Sequence, residues 1–357
     1  MDRPLKKIAF VLEDCSLGSP GQQLLDRVLI GYPRDGEFHR CEGEVHVYLA
    51  PQAADAELRR RLADFPLHRE STIEQAVTGA DGIVVVPGHV HSAALAKSCL
   101  AAAPGGSAVF VYGAIAGDLS DAQNLVSLAE SRKVPFAAGT SLAVTWRLPD
   151  VDVPAGAPVK RALIVVQGES PLAELHALDG LLPLLERRKN GERGVRSVRS
   201  FTGDATWAAG DEWVPRRLLA AALSRSDSPQ GDPVRDGRTQ DLLGLGLVPG
   251  LARSPRAWVI DHTDDVRSTI LVLDGVIADF NFAVELANGS IVSAQLYRPP
   301  APQRHEFSRL AAVIERFFVS RKSPWLPRRS VLTSGLLGAF ARAGRETGSI
   351  RTPELAV

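Results

Sequence analysis

The sequence is short of several features that would settle its class at once. Its 357 residues include three cysteines, Cys15, Cys41 and Cys99. They are far apart, odd in number and never spaced as C-x-x-C, which argues against a disulfide framework and a thiolate zinc knuckle. A reduced, cytoplasmic setting is the expectation. Net charge is lacking too, since 41 Lys and Arg balance 41 Asp and Glu. That excludes a globally basic nucleic-acid binder and removes long-range capture of a charged partner. No run approaches the roughly 18 apolar residues of a membrane-crossing helix. The first apolar run, Ile8–Leu12, ends at Glu13-Asp14 and is too short for a signal-peptide core. The reading is a soluble cytoplasmic protein with no membrane and no nucleic-acid partner.

What is present is ordinary globular material, 45% hydrophobic and 23% charged. At about 150 residues per domain the length suggests two domains. Ile8–Leu12, Val45–Leu49, Gly82–Val86, Ala108–Tyr112 and Phe136–Ala138 read as short buried strands. Helical spacing separates them over Gln22–Ile30, Asp55–Phe65, Thr72–Val77, Ser92–Ala102 and Leu119–Arg132. Strict alternation of this kind predicts a doubly wound α/β domain with a parallel sheet over 1–150. Arg147–Pro158, with three prolines, marks the boundary. Over 151–357 a strand (Arg161–Val166) and a helix (Ala173–Arg187) lead into a long polar loop, Ser224–Gly250. Strands at Ala257–Asp261, Thr269–Leu273, Val276–Leu286 and Ile291–Leu296 follow, with turns at Asp274-Gly275 and Asn288-Gly289. Helices at Glu306–Phe318 and Val331–Arg342 complete an α+β domain with a large, mostly antiparallel sheet. Arg321–Arg329 reads as a solvated basic connection, and Asp261-His262 as part of a solvated turn.

Several segments resemble the glucose–fructose oxidoreductase/inositol dehydrogenase/MocA (Gfo/Idh/MocA) family. Ala80–Ala102 carries Pro87 and His91 at the places of that family's P-x-x-x-H pattern. Ser120–Gly139 resembles the helix and strand after its catalytic lysine, and Leu175–Asp179 its H-x-x-D pattern. The stretch from Tyr297 to Phe340 resembles its closing segment. The segments PFAAGTSLAVTWRLPDVDVPAGAP and LERRKNGERGVRSVRSFTGDATW resemble a divergent bacterial branch of it. The resemblance implies a Rossmann-like nucleotide-binding domain and a second domain for substrate and oligomerisation. It also implies NAD or NADP as cofactor, and hydride transfer on a small sugar- or polyol-like substrate in the interdomain cleft.

The departures from the family pattern matter as much. A dinucleotide needs a glycine-rich turn whose backbone approaches the pyrophosphate. Here the turn is EDCSLGSPGQQ, in which only Gly18 and Gly21 remain. After the second strand Leu49-Ala50-Pro51-Gln52 has no acid for the adenine ribose, and Arg59, Arg60 and Arg61 read as a helix surface. The lysine of the family's E-K-P motif is replaced by Tyr112 or Gly113 in AVFVYGAIAGD. Leu172 stands where an aspartate is usual.

The catalytic candidates are therefore His176, with Asp179 one helical turn on, assisted by Tyr112 or His91. Gly18, Gly21, Pro87 and His89 are candidate cofactor contacts. Trp146, Arg147, Asp204 and Trp207 are candidate substrate contacts, since an arginine fork suits anions and an aromatic face with a carboxylate suits polyols. His89 and His91 lack a third ligand nearby in sequence, so no metal site is expected. Three functions compete: a nicotinamide-linked oxidoreductase, a non-redox isomerase or lyase on the same scaffold, and a catalytically silent subunit paired with a homologous chain. A sheet face left to bury suggests a homo-oligomer, dimer or tetramer.

Overall fold

The computed structural model describes residues 4–88, 93–168, 172–228, 241–302, 304–345 and 348–356. In chain order the first elements are β1 (Lys7–Leu12), α1 (Pro20–Leu29), β2 (Tyr32–Arg34), β3 (Glu37–His39), β4 (Glu44–Leu49), α2 (Ala56–Asp64) and β5 (Leu67–Glu70). Then come α3 (Ile73–Val77), β6 (Gly82–Val86), α4 (Ala93–Ala102), β7 (Ala108–Tyr112), α5 (Leu119–Ser131), β8 (Phe136–Gly139) and β9 (Trp146–Leu148). Next are β10 (Val159–Val166), α6 (Ala173–Glu186), β11 (Val195–Thr202), α7 (Asp204–Ala208), α8 (Arg216–Leu223), α9 (Val248–Leu251), β12 (Arg253–His262) and β13 (Arg267–Asp274). The last are β14 (Phe280–Leu286), β15 (Ile291–Tyr297), α10 (Glu306–Ser320), α11 (Pro327–Arg345) and β16 (Ser349–Arg351).

The chain forms two compact units, Met1–Val144 with Pro299–Gly335, and Thr145–Arg298 with Leu336–Val357. Unit one is a parallel sheet in the order β5-β4-β1-β6-β7-β8. Strand alternation sends Ile8, Phe10, Leu12, Val84 and Phe110 to a face covered by α1, α2 and α10. Ala9, Val11, Ile83, Val85 and Val109 go to the face covered by α3, α4 and α5. Residues 299–335 therefore differ from the expected division at 150. The amphipathic α10 lays Phe307, Leu310, Ile314, Phe317 and Phe318 into the unit-one core. The basic connection is not simply solvated either: Trp325 Nε1 donates to Ala138 O (2.8 Å), and Arg321 holds Asp81. β5 was not expected because LHRE offers one apolar residue in four; pairing with β4 makes it a strand.

Unit two is an eight-stranded sheet in the order β16-β11-β12-β13-β10-β14-β15-β9. Every pair is antiparallel except β10–β13. The turn at Asp274-Gly275 does not close a hairpin, because β10 lies between β13 and β14. The Asn288-Gly289 turn does, with Leu286 N donating to Ser290 O. α6 lies over Ile164 and Leu296, so close that a side chain at Gly180 would strike both. On the other face α8 and residues 242–251 cover Leu163, Val165, Leu271, Leu273 and Ala283. The second face of the sheet is thus partly covered by the chain itself. His262, expected in a solvated turn, is fully buried between Glu192 and Ser268.

Candidate functional site

In unit one the site position is the carboxyl edge of the parallel strands, where α/β sheets bind ligands. The loop from β1 to α1 occupies that position. From the loop into the first turn of α1, Ser16-Leu17-Gly18-Ser19-Pro20-Gly21 reads S-x-G-x-x-G. Gly21 retains one role of the glycine fingerprint: a Cβ there would collide with the Asp14 carbonyl oxygen and touch Leu12, so α1 packs tightly on β1. Gly18 has φ +82° and open space beside it.

Several donors of this loop are already committed. Asp14 Oδ1 accepts from Ser16 N (2.8 Å), and Gln22 Oε1 accepts from Gly18 N (2.8 Å). Ser16 O accepts from Ser19 N (3.0 Å). Ser19, the N-cap of α1, accepts from Gln22 N through its side chain (3.3 Å), and Pro20 removes another N–H. Glu13 Oε2 accepts from Gly88 N (2.9 Å), bridging the ends of β1 and β6. Gln22 also donates to Asp26, which Arg61 grips at 2.8 Å through both nitrogens of its fork. Arg61 is thus no outward helix residue, whereas Arg59 and Arg60 are exposed and pair with Asp55 and Glu57. Burial foremost, with the nearby carboxylates, pushes the Cys15 thiol up to about 11, so this loop carries no thiolate.

These residues suit a dinucleotide less well than an intact glycine fingerprint would. A pyrophosphate is held by free N–H groups and repelled by adjacent acids; here the Ser16 and Gly18 amides are bonded to side chains, and Glu13 and Asp14 stand beside them. At the end of β7, Tyr112 is buried in the core and stacks on Phe307 at 5.9 Å. Pro87 follows β6 and is half-buried. His89 and His91 lie outside the described residues.

In unit two, His176 and Asp179 lie on α6 and are buried, His176 to 8% exposure. His176 meets Phe280 edge-on at 5.8 Å, and the guanidinium of Arg298 lies over the same ring at 5.2 Å. Histidine, aromatic ring and arginine therefore converge on the α6 face of the sheet. Arg298 and Phe280 escaped the sequence reading. Both are brought there by strand alternation, and Arg298 stood unremarked in the segment YRPP.

The expected substrate contacts divide between faces. Arg147 pairs in register with Leu296 and so belongs to the α6 face, where it lies 3.7 Å from Asp152. Trp146 pairs with Tyr297 and belongs to the opposite face. Trp207 packs into the α8-side core, with Asp204 exposed on the same short helix. The sheet thus stands between Trp207 and His176, and the two do not line one pocket. α7 packs on β11 and β12, away from α6.

No protein-family model matches the sequence, and no curated protein is significantly similar to it. Solved structures do match. GenD2 from gentamicin A biosynthesis, in complex with NAD, is 15% identical, with 99% of this chain and 97% of that one covered at a TM-score of 0.64. A putative myo-inositol dehydrogenase from Sinorhizobium meliloti is 14% identical, covering 97% and 99% at 0.61. A myo-inositol dehydrogenase from Lactobacillus casei, solved with NAD(H) and myo-inositol, is 13% identical, covering 97% and 96% at 0.61. The chain has the fold of the Gfo/Idh/MocA-type oxidoreductases from end to end. No helix among the described residues is long and apolar enough to cross a membrane.

Proposed function

We propose that the chain is a divergent Gfo/Idh/MocA-type protein that handles a small polar, sugar- or polyol-like molecule without holding NAD or NADP. One observation carries this reading: the Gly18 amide, at the centre of the β1–α1 loop, is held by the Gln22 side chain, and the acids Glu13 and Asp14 accept from Gly88 N and Ser16 N at the same strand end. Tyr112 or Gly113 in place of the family's lysine agrees with it. Unit two supplies the ligand groups. Arg298 suits an anionic or hydroxyl-rich group, and His176 can move a proton, chemistry of the isomerase or lyase type.

Two measurements test it. The five tryptophans allow a fluorescence titration with NADH and NADPH, and no quenching or energy transfer is expected at millimolar concentration. A panel of polyols and sugar acids, read by melting temperature, should contain a stabilising ligand. His176→Ala and Arg298→Ala should each remove its effect. Saturable nicotinamide binding would overturn the reading.

A second reading, a nicotinamide-linked oxidoreductase, is favoured by Gly18, whose φ of +82° and open flank are what close approach of a phosphate requires. The same titration decides between the two.

A further inference from the structure

A cluster outside the site just described has the composition of a metal centre. β4 and β5 are adjacent parallel strands, with His46 opposite His68 in register. Glu44 precedes His46 by two residues, so the strand period puts all three on one face. One ligand atom from each of Glu44, His46 and His68 lies within 4.8 Å of the others.

A second observation is independent of that proximity. His46 Nδ1 lies 2.7 Å from a Glu70 carboxylate oxygen, so the proton belongs on Nδ1. Nε2 then presents its lone pair. That atom is out of contact with solvent and has no hydrogen-bond partner, the Glu44 carboxylate lying 3.7 Å away. An imidazole fixed by a carboxylate on its far nitrogen is the usual arrangement behind a metal-bound histidine. Lys7 also stands on this face, and its ammonium donates to the carbonyls of Gln75 (3.2 Å) and Thr78 (2.8 Å).

We propose that Glu44, His46 and His68 bind one divalent transition-metal ion of the zinc class, clipping the edge strand β5 to β4. Two imidazoles and a carboxylate suit zinc, cobalt, nickel or copper and leave one position for water. Ligand atoms on a tetrahedral ion with bonds of about 2.0–2.1 Å lie about 3.3 Å apart. The exposed side chains of Glu44 and His68 can close that gap by rotation. His68 now stacks on His46 at 4.5 Å, and binding turns its ring edge-on to the ion.

The test uses the untagged full chain, stripped with chelator and titrated with cobalt(II). One equivalent should bind with a visible ligand-field band that zinc displaces, and zinc should raise the melting temperature. His68→Gln, an exposed change, should abolish both effects and leave the far-ultraviolet circular dichroism unaltered. Glu70→Gln should keep the band with affinity about 10- to 100-fold lower. A band or zinc stabilisation that survives in His68→Gln places the ion elsewhere and overturns the proposal, as does a wild-type chain that binds neither ion.

Discussion

Each unit contains an arginine fork gripping two carboxylates, and the two forks serve different ends. In unit two Arg188 holds Glu192 and Asp264, and Glu192 continues to His262 and Ser268. The Arg188 side chain is 1% exposed, and the network is interior, tying the end of α6 to the turn between β12 and β13. In unit one Arg61 holds Asp26 and Glu57 at 14% exposure. Its chain of contacts runs outward, through Asp26 and Gln22 to the Gly18 amide. The same chemistry is interior scaffold in one place and ends at the loop on the sheet's carboxyl edge in the other. Buried charge does not mark a functional site by itself; where its hydrogen bonds end does.

The sharpest way to break this comparison is to remove the centre of the buried network. Glu192→Ala strands Arg188 and His262 without their shared carboxylate, and is expected to cost about 3–5 kcal/mol in urea unfolding. A loss below 1 kcal/mol would mean that the interior network is not what holds that end of the sheet.

Acid should expose the same network. Burial alone would raise the Glu192 carboxyl, but hydrogen bonds and charge from His262 and Arg188 outweigh it and hold the group well below its ordinary value of 4.5. A carboxyl depressed in the folded state stabilises fully above its unfolded value and loses that contribution as pH falls through the folded one. The urea midpoint of the wild type should therefore fall below pH 4.5, and Glu192→Gln should flatten that part of the curve.

Unit one was largely legible in the sequence because its signals are local. GIVVV and AVFVY declare central strands, and apolar helices alternate with them. Unit two was less so, because its pairings are not. Nothing near Asp274-Gly275 reveals that β10, about a hundred residues earlier, inserts beside β13. The site followed the same rule. His176 was visible as a motif on one helix, whereas Arg298 and Phe280 join it only through the sheet. The missing glycine was legible in unit one. The hydrogen bonds that occupy the Gly18 and Gly88 amides were not, since they depend on where Gln22 and Glu13 turn.

The packing of the loop can be separated from its backbone conformation. Gly21→Ala forces a methyl group onto the Asp14 carbonyl and should cost about 1–3 kcal/mol. Gly18→Ala meets no neighbour and pays only for its positive φ, about 1–2 kcal/mol. Equal costs would mean that close contact between α1 and the loop is not what Gly21 provides.

The finest test compares neighbouring arginines on α2. Arg60 is 71% exposed and pairs with Glu57, so Arg60→Ala should change stability by no more than about 0.5 kcal/mol. Arg61→Ala unties Asp26 and should cost about 1 kcal/mol, between the ranges for exposed and buried pairs. The more telling readout is local. With Asp26 released, Gln22 loses its anchor, and the Gly18 amide should exchange its hydrogen faster in Arg61→Ala but not in Arg60→Ala. Equal exchange in both variants would uncouple the Arg61 fork from the loop, leaving Gln22 alone to account for the occupied amide.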